Sequence, residues 1–132
     1  MTKDGPFWLV ALAVGAGAGL GAILRWMLAY RLNGLLAWFP LGTFAANTLG
    51  GFLCGLVLAW TAANPALSPA VRLFVVTGFL GGLTTFSTFS GETMTLLLSG
   101  EFLRASFLVL MHVGSSLLAT WLGWLLARGL LI

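Results

Sequence analysis

The sequence predicts an all-α integral membrane protein with four transmembrane helices, the third of which is broken near its middle. The prediction begins from composition: 60% of the 132 residues are apolar, only 7% are charged, and the mean hydropathy is +1.07. A soluble domain carries about 25% charged residues, so this chain has too few to cover a globule in water. Because a helix needs about 20 residues to cross a bilayer, four crossings with short loops account for the whole length.

Charged residues and Pro, Asn or Gly punctuation divide the chain into four apolar stretches. The predicted helices cover about 7–31, 41–63, 70–98 and 103–131. Short turns separate them, and no segment is long enough for a domain outside the membrane. We therefore expect a single transmembrane domain over residues 1–132, with multiple passes through the cell membrane.

Small residues recur four positions apart in all four stretches, a spacing that places them on one face of a helix. The pairs are Gly17 and Gly21, Gly51 and Gly55, Gly78 and Gly82, and Ala119 and Gly123. In lipid, such pairs let helix backbones approach closely. Four closely packed helices of this size enclose little room for a path of their own, so we expect a homo-oligomer.

The Lys and Arg residues give no preferred orientation in the membrane. Four crossings put Lys3, Arg72 and Arg128 on one side and Arg31, Arg104 and Arg25 towards the other. Because the positive-inside rule needs an imbalance, the near-equal count predicts insertion in both directions. Dual insertion permits an antiparallel homodimer, although a small protein with few charges has a weak orientation signal in any case.

The third stretch is the least ordinary of the four. Residues 77–93 contain four Gly and seven hydroxyl side chains, and Gly81-Gly82 followed by Thr84-Thr85 predicts a break in the helix. Non-helical backbone within a bilayer is tolerated where it is buried in protein or lines a polar cavity. A break frees carbonyls that can ligate a hard cation and amides that favour an anion. A continuous helix with glycines for close packing is the alternative.

Phe86 and Phe89 follow the predicted break and are three residues apart, as are Thr85 and Thr88. Helical spacing puts the two rings on one face, with hydroxyl groups beside them. Ring edges carry partial positive charge and attract anions, so two rings beside O–H donors can conduct a dehydrated anion. Packing of the two rings in the protein core accounts for the same spacing.

Four other polar side chains are candidates for a site near membrane depth. Asn47 lies in the middle of the second stretch, where an amide is costly unless paired. Arg25 follows the first apolar run, where it either extends to the interface or concentrates anions at a pore mouth. Glu92 and His112 are each interpreted as a proton site or a structural partner.

Enzymatic and nucleic-acid functions are disfavoured. Ser87 and Ser90 have His112 as their one possible base and no nearby Asp, and a single His and a single Cys are too few for a catalytic metal site. No cluster of Lys and Arg could follow a phosphate backbone. The sequence therefore predicts neither an enzyme nor a nucleic-acid-binding protein.

Three motifs resemble the Fluc/CrcB family of fluoride ion channels. They are Gly-Ala-Ile-Leu-Arg-Trp at 21–26, Gly-Thr-Phe-Ala-Ala-Asn-Thr-Leu-Gly-Gly at 42–51, and Thr-Gly-Phe-Leu-Gly-Gly-Leu-Thr-Thr-Phe-Ser-Thr-Phe-Ser-Gly-Glu at 77–92. The resemblance extends in order across essentially the whole chain. It implies a passive exporter of cytoplasmic fluoride with two pores in a dual-topology antiparallel homodimer, and one structural Na⁺ at the dimer interface.

The resemblance also implies roles for individual residues. Phe86 and Phe89 correspond to the pore-lining rings, Asn47 to the pore amide, Ser87 and Thr88 to the polar track, Gly81 and Thr84 to the donors of backbone carbonyls to Na⁺, and Arg25 to the vestibule cation. Glu92 resembles the acidic residue after the track. His112 corresponds to a position where family members carry differing polar side chains, so its role stays open.

Two rival functions are considered. A small multidrug-type proton-coupled exporter also has four helices, but it needs a carboxylate in the first helix, where this chain has Arg25 and no acid. The other rival is a non-conducting membrane subunit of a larger complex.

Overall fold

Four apolar segments form long helices in the computed structural model, which describes residues 5–131. The first two helices are α1 (Phe7–Leu32) and α2 (Leu41–Ala63). The third segment contains α3, made of the consecutive pieces Pro69–Leu73, Phe74–Leu80 and Gly81–Leu83, and then α4 (Phe86–Leu98). The last helix is α5 (Phe102–Leu131). By length and composition, four helical segments of the described chain can cross a membrane, with α3 and α4 together forming the third.

The connections between helices are short and closed by backbone hydrogen bonds. Between α1 and α2, the Asn33 side chain accepts a hydrogen bond from the Gly42 N–H at 2.7 Å. After α4, Gly100 adopts a φ of 76°, which only glycine takes up without strain. The N–H groups of Gly100 and Glu101 then donate back to the last turn of α4, which is a Schellman ending. The connections are therefore only long enough for the chain to reverse its direction between helices.

Glycines determine how closely the helices approach. In the α2/α5 contact, a Cβ added at Gly55 would overlap the Thr120 carbonyl, and one added at Gly123 would overlap the Phe52 carbonyl. In the α1/α3 contact, a Cβ at Gly21 would overlap the Phe79 carbonyl. The prediction that the small-residue pairs mark close helix packing is therefore confirmed.

The middle of α3, Phe74–Leu80, is π-helical. This wider coil lies against α1, where a Cβ on Gly17 would overlap the Phe74 carbonyl. π-helical turns are rare and often lie near functional sites. Here the π-helical piece ends directly before the glycine pair Gly81-Gly82.

The buried apolar core is small. Phe39, Phe89 and Leu108 form one buried cluster, to which the α1–α2 connection contributes Phe39. Large apolar side chains such as Phe7, Trp8 and Leu103 are instead exposed on the outer surface. Helices that are apolar all round are suited to hydrocarbon rather than water, in agreement with the membrane prediction.

Candidate functional site

The third segment is interrupted at two threonines. Thr84 has φ −81° and ψ 154°, and Thr85 has φ −147° and ψ 115°, so both are extended. Gly81 and Gly82, which the sequence placed at the break, are helical and belong to the last piece of α3. Gly50 of α2 has no side chain to keep the Thr84 methyl group away, which lets α2 approach the interruption.

Asn47 of α2 binds the backbone of the interruption. Its Oδ1 accepts a hydrogen bond from the Thr85 N–H at 2.7 Å, and its Nδ2 donates to the Thr85 carbonyl at 3.1 Å. The same Nδ2 lies 3.2 Å from Nδ1 of His112. Because an amide NH₂ has two hydrogens, these contacts use both donors of Asn47. The side chain therefore replaces the hydrogen bonds that Thr85 loses outside a helix.

The carbonyls of Gly81 and Thr84 are among those that lose their helical partners at the interruption. The Thr85 N–H, which would bond to the Gly81 carbonyl in a continuous helix, donates to Asn47 instead. The Thr88 N–H, which would bond to the Thr84 carbonyl, donates to the Thr85 hydroxyl at 3.1 Å and so caps α4. Because the N–H groups of Thr85 and Thr88 donate to side chains, they no longer bond to the carbonyl oxygens of Gly81 and Thr84. These two oxygens are therefore available to a ligand.

Arg25 reaches the end of α3 from α1. Its Nε donates a hydrogen bond of 2.9 Å to the Gly82 carbonyl. The sequence offered two placements for this arginine, the interface or a pore mouth. In the structure the Arg25 side chain is half-buried, and its Nε–H is hydrogen-bonded to the backbone beside the interruption.

The two phenylalanines after the interruption lie together but differ in exposure. Their ring centroids are 5.6 Å apart, with an interplanar angle of 58°. Phe89 is 8% exposed and lies in the core, whereas Phe86 is 79% exposed on the surface of the single chain. Core packing therefore explains Phe89 within this chain and does not explain Phe86.

His112 and Glu92 continue the polar groups beyond Phe89. The His112 ring is 4.9 Å from the Phe89 ring, and Glu92 accepts a hydrogen bond of 2.6 Å from the Thr43 hydroxyl. Nδ1 of His112 accepts from Asn47, which assigns the ring hydrogen to Nε2 in the neutral imidazole. That Nε2 and one Glu92 oxygen, Oε2, are buried and make no hydrogen bond within the described residues.

A cavity of about 520 Å³ lies along one side of the chain, beside the interruption and the aromatic pair. Its lining includes Asn47, Thr85, Phe86, Phe89 and His112. Glu92 lies in a different cavity of about 290 Å³, near the α1–α2 connection. The aromatic pair, the interruption and the Asn47 amide therefore share one surface, and Glu92 opens towards one end of the molecule.

Comparison with known proteins identifies the family. Residues 12–124 match the family model described as CrcB-like protein, Camphor Resistance (CrcB). The chain belongs to the CrcB family. It is 58% identical over 114 residues to the fluoride-specific ion channel FluC of Psychrobacter arcticus, a match that covers 86% of this chain and 92% of the relative.

Two further relatives carry the same name. The chain is 54% identical over 113 residues to the fluoride-specific ion channel FluC of Thiobacillus denitrificans, covering 86% of this chain and 91% of the relative. It is 48% identical over 126 residues to that of Pseudomonas paraeruginosa, covering 92% and 99%. These relatives and the four apolar helical segments indicate a multi-pass protein of the bacterial plasma membrane.

The structure brings most of the predicted site residues of this CrcB protein together. Gly81 and Thr84 line the same cavity as the aromatic pair. Ser87 and Thr88 are exposed on the first turn of α4, with both hydroxyls within 3.3 Å of the Thr85 hydroxyl. Arg25 is linked to this region through Gly82 and does not line the cavity.

Sequence reasoning missed two polar residues on α5. Ser116 and Thr120 line the cavity together with His112. The three residues are spaced four apart, which puts them on one face of the helix. That spacing is visible in the sequence, where only His112 stands out as an ionisable residue at membrane depth.

Acidic and thiolate ligands do not form a metal centre in the described part of the chain, where no three of His, Cys, Asp and Glu come together. A hard monovalent cation would instead need oxygen ligands from the backbone. The carbonyls of Gly81 and Thr84 meet that requirement, because their helical N–H partners bond to side chains. One chain supplies two such oxygens, so a complete shell needs further ligands.

Proposed function

We propose that this protein is a fluoride-specific ion channel through which cytoplasmic fluoride leaves the cell passively. The three relatives described above, which carry this name, are 48–58% identical to the chain over most of its length. The observation that carries the proposal is the interruption of the third span, where the Phe86 and Phe89 rings and the polar groups around Asn47 border one cavity.

The chemistry of the site suits fluoride. Fluoride is small and strongly hydrated, so a pore must replace its water with close N–H and O–H donors. The hydroxyls of Ser87, Thr88 and Ser116 and the Nε2–H of His112 provide such donors, whereas the Thr120 hydroxyl donates to the Ser116 carbonyl. The edges of Phe86 and Phe89 add partial positive charge without a fixed cation. A row of such donors and ring edges stabilises an anion. It has no fixed cation that would bind the anion too tightly for release.

The two phenylalanines and the polar track have separate tasks in this proposal. Phe86 and Phe89 line the narrow part of the pore, and Ser87 and Thr88 continue it as the polar track. Asn47 holds the backbone at its entrance, and Arg25 is the residue proposed for the vestibule. His112, whose ring is 4.9 Å from the Phe89 ring, and Glu92 are further polar groups proposed to be associated with this path.

The functional unit in this proposal is an antiparallel homodimer with two pores. Phe86 is 79% exposed in the single chain, beside an open cavity, and a second copy would enclose both. The Lys and Arg count, with three residues towards each side, is compatible with insertion in both directions. The break in the third helix would then lie near the middle of the membrane, at the dimer interface.

One structural Na⁺ is proposed at the centre of this dimer. The carbonyls of Gly81 and Thr84 from each of two chains would supply four oxygens of the kind that hard cations bind. The ion would neutralise the carbonyl ends of two α3 helices and fix the two chains relative to one another. It takes no part in moving fluoride.

Flux measurement tests the proposed function directly. Purified protein is reconstituted into liposomes loaded with potassium fluoride, and efflux is followed with a fluoride electrode after valinomycin is added. We expect rapid fluoride efflux and no comparable chloride efflux, with protein-free liposomes as the control. Silent liposomes that contain correctly assembled protein would show that it is a non-conducting subunit.

The multidrug-type exporter is not favoured by any observation. The described α1 carries no Asp or Glu for proton exchange. Proton-driven uptake of a cationic dye into the same liposomes would be required to revive it.

The dual topology has its own experiment. Ala66 lies exposed in the α2–α3 connection, and Cys54 is the only cysteine of the sequence. In a Cys54→Ala background, Ala66→Cys should react with a membrane-impermeant thiol reagent from both faces of the membrane. Labelling from a single face would rule out the antiparallel dimer while leaving the flux result untouched.

A further inference from the structure

The position of Arg25 follows from the glycine ridge on α1. Gly17, Gly21 and Arg25 are spaced four apart and share one face of the helix. On that face, Cβ atoms at the two glycines would overlap the backbone of α3. Arg25 is one turn further along the same ridge, and there its side chain meets the last turn of α3.

The Gly82 carbonyl needs a partner at this point. In a continuous helix it would accept from the N–H of Phe86, but Phe86 begins α4 beyond the interruption. Carbonyls at a helix end are favoured by donors and by positive charge, because the helix dipole is negative there. Arg25 provides an N–H from Nε at 2.9 Å.

We propose that Arg25 is a positioning residue, which caps the Gly82 carbonyl through its Nε–H and thereby fixes the point at which the third span stops being helical. The property that matters is a donor at the Nε position rather than the positive charge. The proposal deepens the proposed channel function and rests on it for the flux measurement alone.

Arg25 and Asn47 act on opposite sides of the interruption. Arg25 holds the last turn of α3 from α1, and Asn47 holds Thr85 from α2 through two hydrogen bonds. Between them lie the carbonyls of Leu83 and Thr84 and the turn that presents Phe86. Loss of the Arg25 cap would leave one side of the interruption without a side-chain partner.

Two substitutions separate the donor from the charge. In Arg25→Gln, the amide nitrogen is the same number of bonds from Cα as Nε of arginine, so a donor remains while the charge is removed. In Arg25→Lys, a methylene takes the Nε position, and the charge with its N–H donors lies one atom further out. The Gln variant therefore keeps a donor at the Nε position without the charge, and the Lys variant keeps the charge without a donor at that position.

Hydrogen–deuterium exchange over residues 80–88 measures the interruption directly. In the assembled fraction from size exclusion, we expect Arg25→Gln to exchange like the parent protein. We expect Arg25→Lys to exchange about tenfold faster, the factor that corresponds to a lost hydrogen bond of about 1.4 kcal/mol. Exposed Arg31, six residues along α1, provides the control, because Arg31→Gln and Arg31→Lys should leave this segment unchanged.

The opposite order, with Arg25→Lys protected and Arg25→Gln exchanging rapidly, would show that the charge matters and overturn the proposal. Equal protection in both variants would overturn it as well, and so would rapid exchange in both. If Arg25→Lys yields no assembled protein, Arg25→Gln alone still decides, since faster exchange in that variant contradicts a role for the Nε donor.

Fluoride flux then connects the cap to conduction. Per assembled protein, Arg25→Gln should conduct at least about tenfold more fluoride than Arg25→Lys, in line with the exchange result. A vestibule cation acting through charge predicts more flux through Arg25→Lys, and that order would overturn the proposal. If the parent protein conducts no fluoride, the channel function fails, while the exchange measurement still decides the role of Arg25.

Discussion

The α2/α5 contact and the interruption between α3 and α4 are both places where the backbone approaches another helix closely, and they are built in opposite ways. At the α2/α5 contact, Gly55 and Gly123 remove side chains so that two backbones can touch. At the interruption, polar side chains are added so that a broken backbone keeps its hydrogen bonds. The first region depends on shape and the second on donors and acceptors.

This difference teaches where function can be placed in a small membrane protein. Gly55 and Gly123 allow this close approach by having no side chain, so they contribute no side-chain donor to an ion. The interruption leaves carbonyls without helical partners, and Asn47 and Arg25 donate hydrogen bonds to part of its backbone. Rigid packing in one region thus supports an irregular backbone in the other. The variants below test this division in order of their expected effect on folding stability.

The largest effect is expected at Gly55. In Gly55→Ala, the new methyl group would overlap the Thr120 carbonyl, and backbone on both sides cannot give way cheaply. We expect a loss of at least about 3 kcal/mol, with little assembled protein on size exclusion, because overpacking commonly costs about 1–3 kcal/mol even when only side chains must move.

Gly114→Ala is the matched control for Gly55→Ala. Gly114 lies in α5, and a Cβ there would meet nothing within 4 Å. Alanine also has the higher helix propensity, so this variant should be as stable as the parent or slightly more stable. Equal assembly of the two variants would contradict the claim that glycines at the α2/α5 contact act through backbone approach.

The next effect is expected at Asn47. In Asn47→Leu, the Thr85 N–H and carbonyl both lose their partner, and so does Nδ1 of His112. An unsatisfied buried polar group costs about 1–3 kcal/mol, so we expect a stability loss of about 3 kcal/mol in chemical denaturation. Asn64→Leu is the control, because Asn64 is exposed in the α2–α3 connection. A loss equal to that of the control would show that Asn47 does not support the interruption.

These two regions also differ in how well the sequence predicted them. The glycine pairs were found from spacing alone, because packing requires only that small residues share a helix face. The partners at the interruption were not found, since Arg25 and Gly82 are 57 positions apart and Asn47 and Thr85 are 38 apart. No local pattern reports such a hydrogen bond, so Arg25 was interpreted from its charge alone.

The sequence also placed the interruption within a few residues. It named Gly81-Gly82 and Thr84-Thr85 together, and the extended residues are Thr84 and Thr85. Glycine lowers helix propensity, but here Gly82 allows the close approach of α1, since a Cβ on it would overlap the Ala18 carbonyl. Asn47 binds the N–H and the carbonyl of Thr85, one of the two residues that leave the helix.

A small effect on stability with a large effect on flux is expected at Phe86. Because the ring is 79% exposed in the single chain, Phe86→Ile keeps an apolar side chain of similar bulk and should cost less than about 1.5 kcal/mol. Isoleucine lacks the positive ring edge, so fluoride flux per assembled protein should fall by at least about tenfold.

Phe89→Ile sharpens the comparison of the two rings. Phe89 is 8% exposed and packs in the core, so its substitution should reduce both stability and flux. Measuring flux against the yield of assembled protein separates the two contributions. Normal flux through well-assembled Ile variants at both positions would exclude an aromatic pore and leave packing as the role of the pair.

The smallest effect is expected at Arg104, which differs from Arg25 only in its surroundings. Arg104 pairs with Glu101 at the start of α5, and the two side chains are 56% and 38% exposed. Exposed ion pairs contribute about 0–1 kcal/mol, because water competes for both charges and two long side chains must be ordered. Arg104→Gln should therefore change the free energy of unfolding, measured by chemical denaturation, by no more than about 0.5 kcal/mol. It should also leave exchange over residues 80–88 unchanged. A large loss of stability in this variant would mean that charge at the membrane surface, rather than hydrogen bonding to the interrupted backbone, determines what an arginine contributes to this fold.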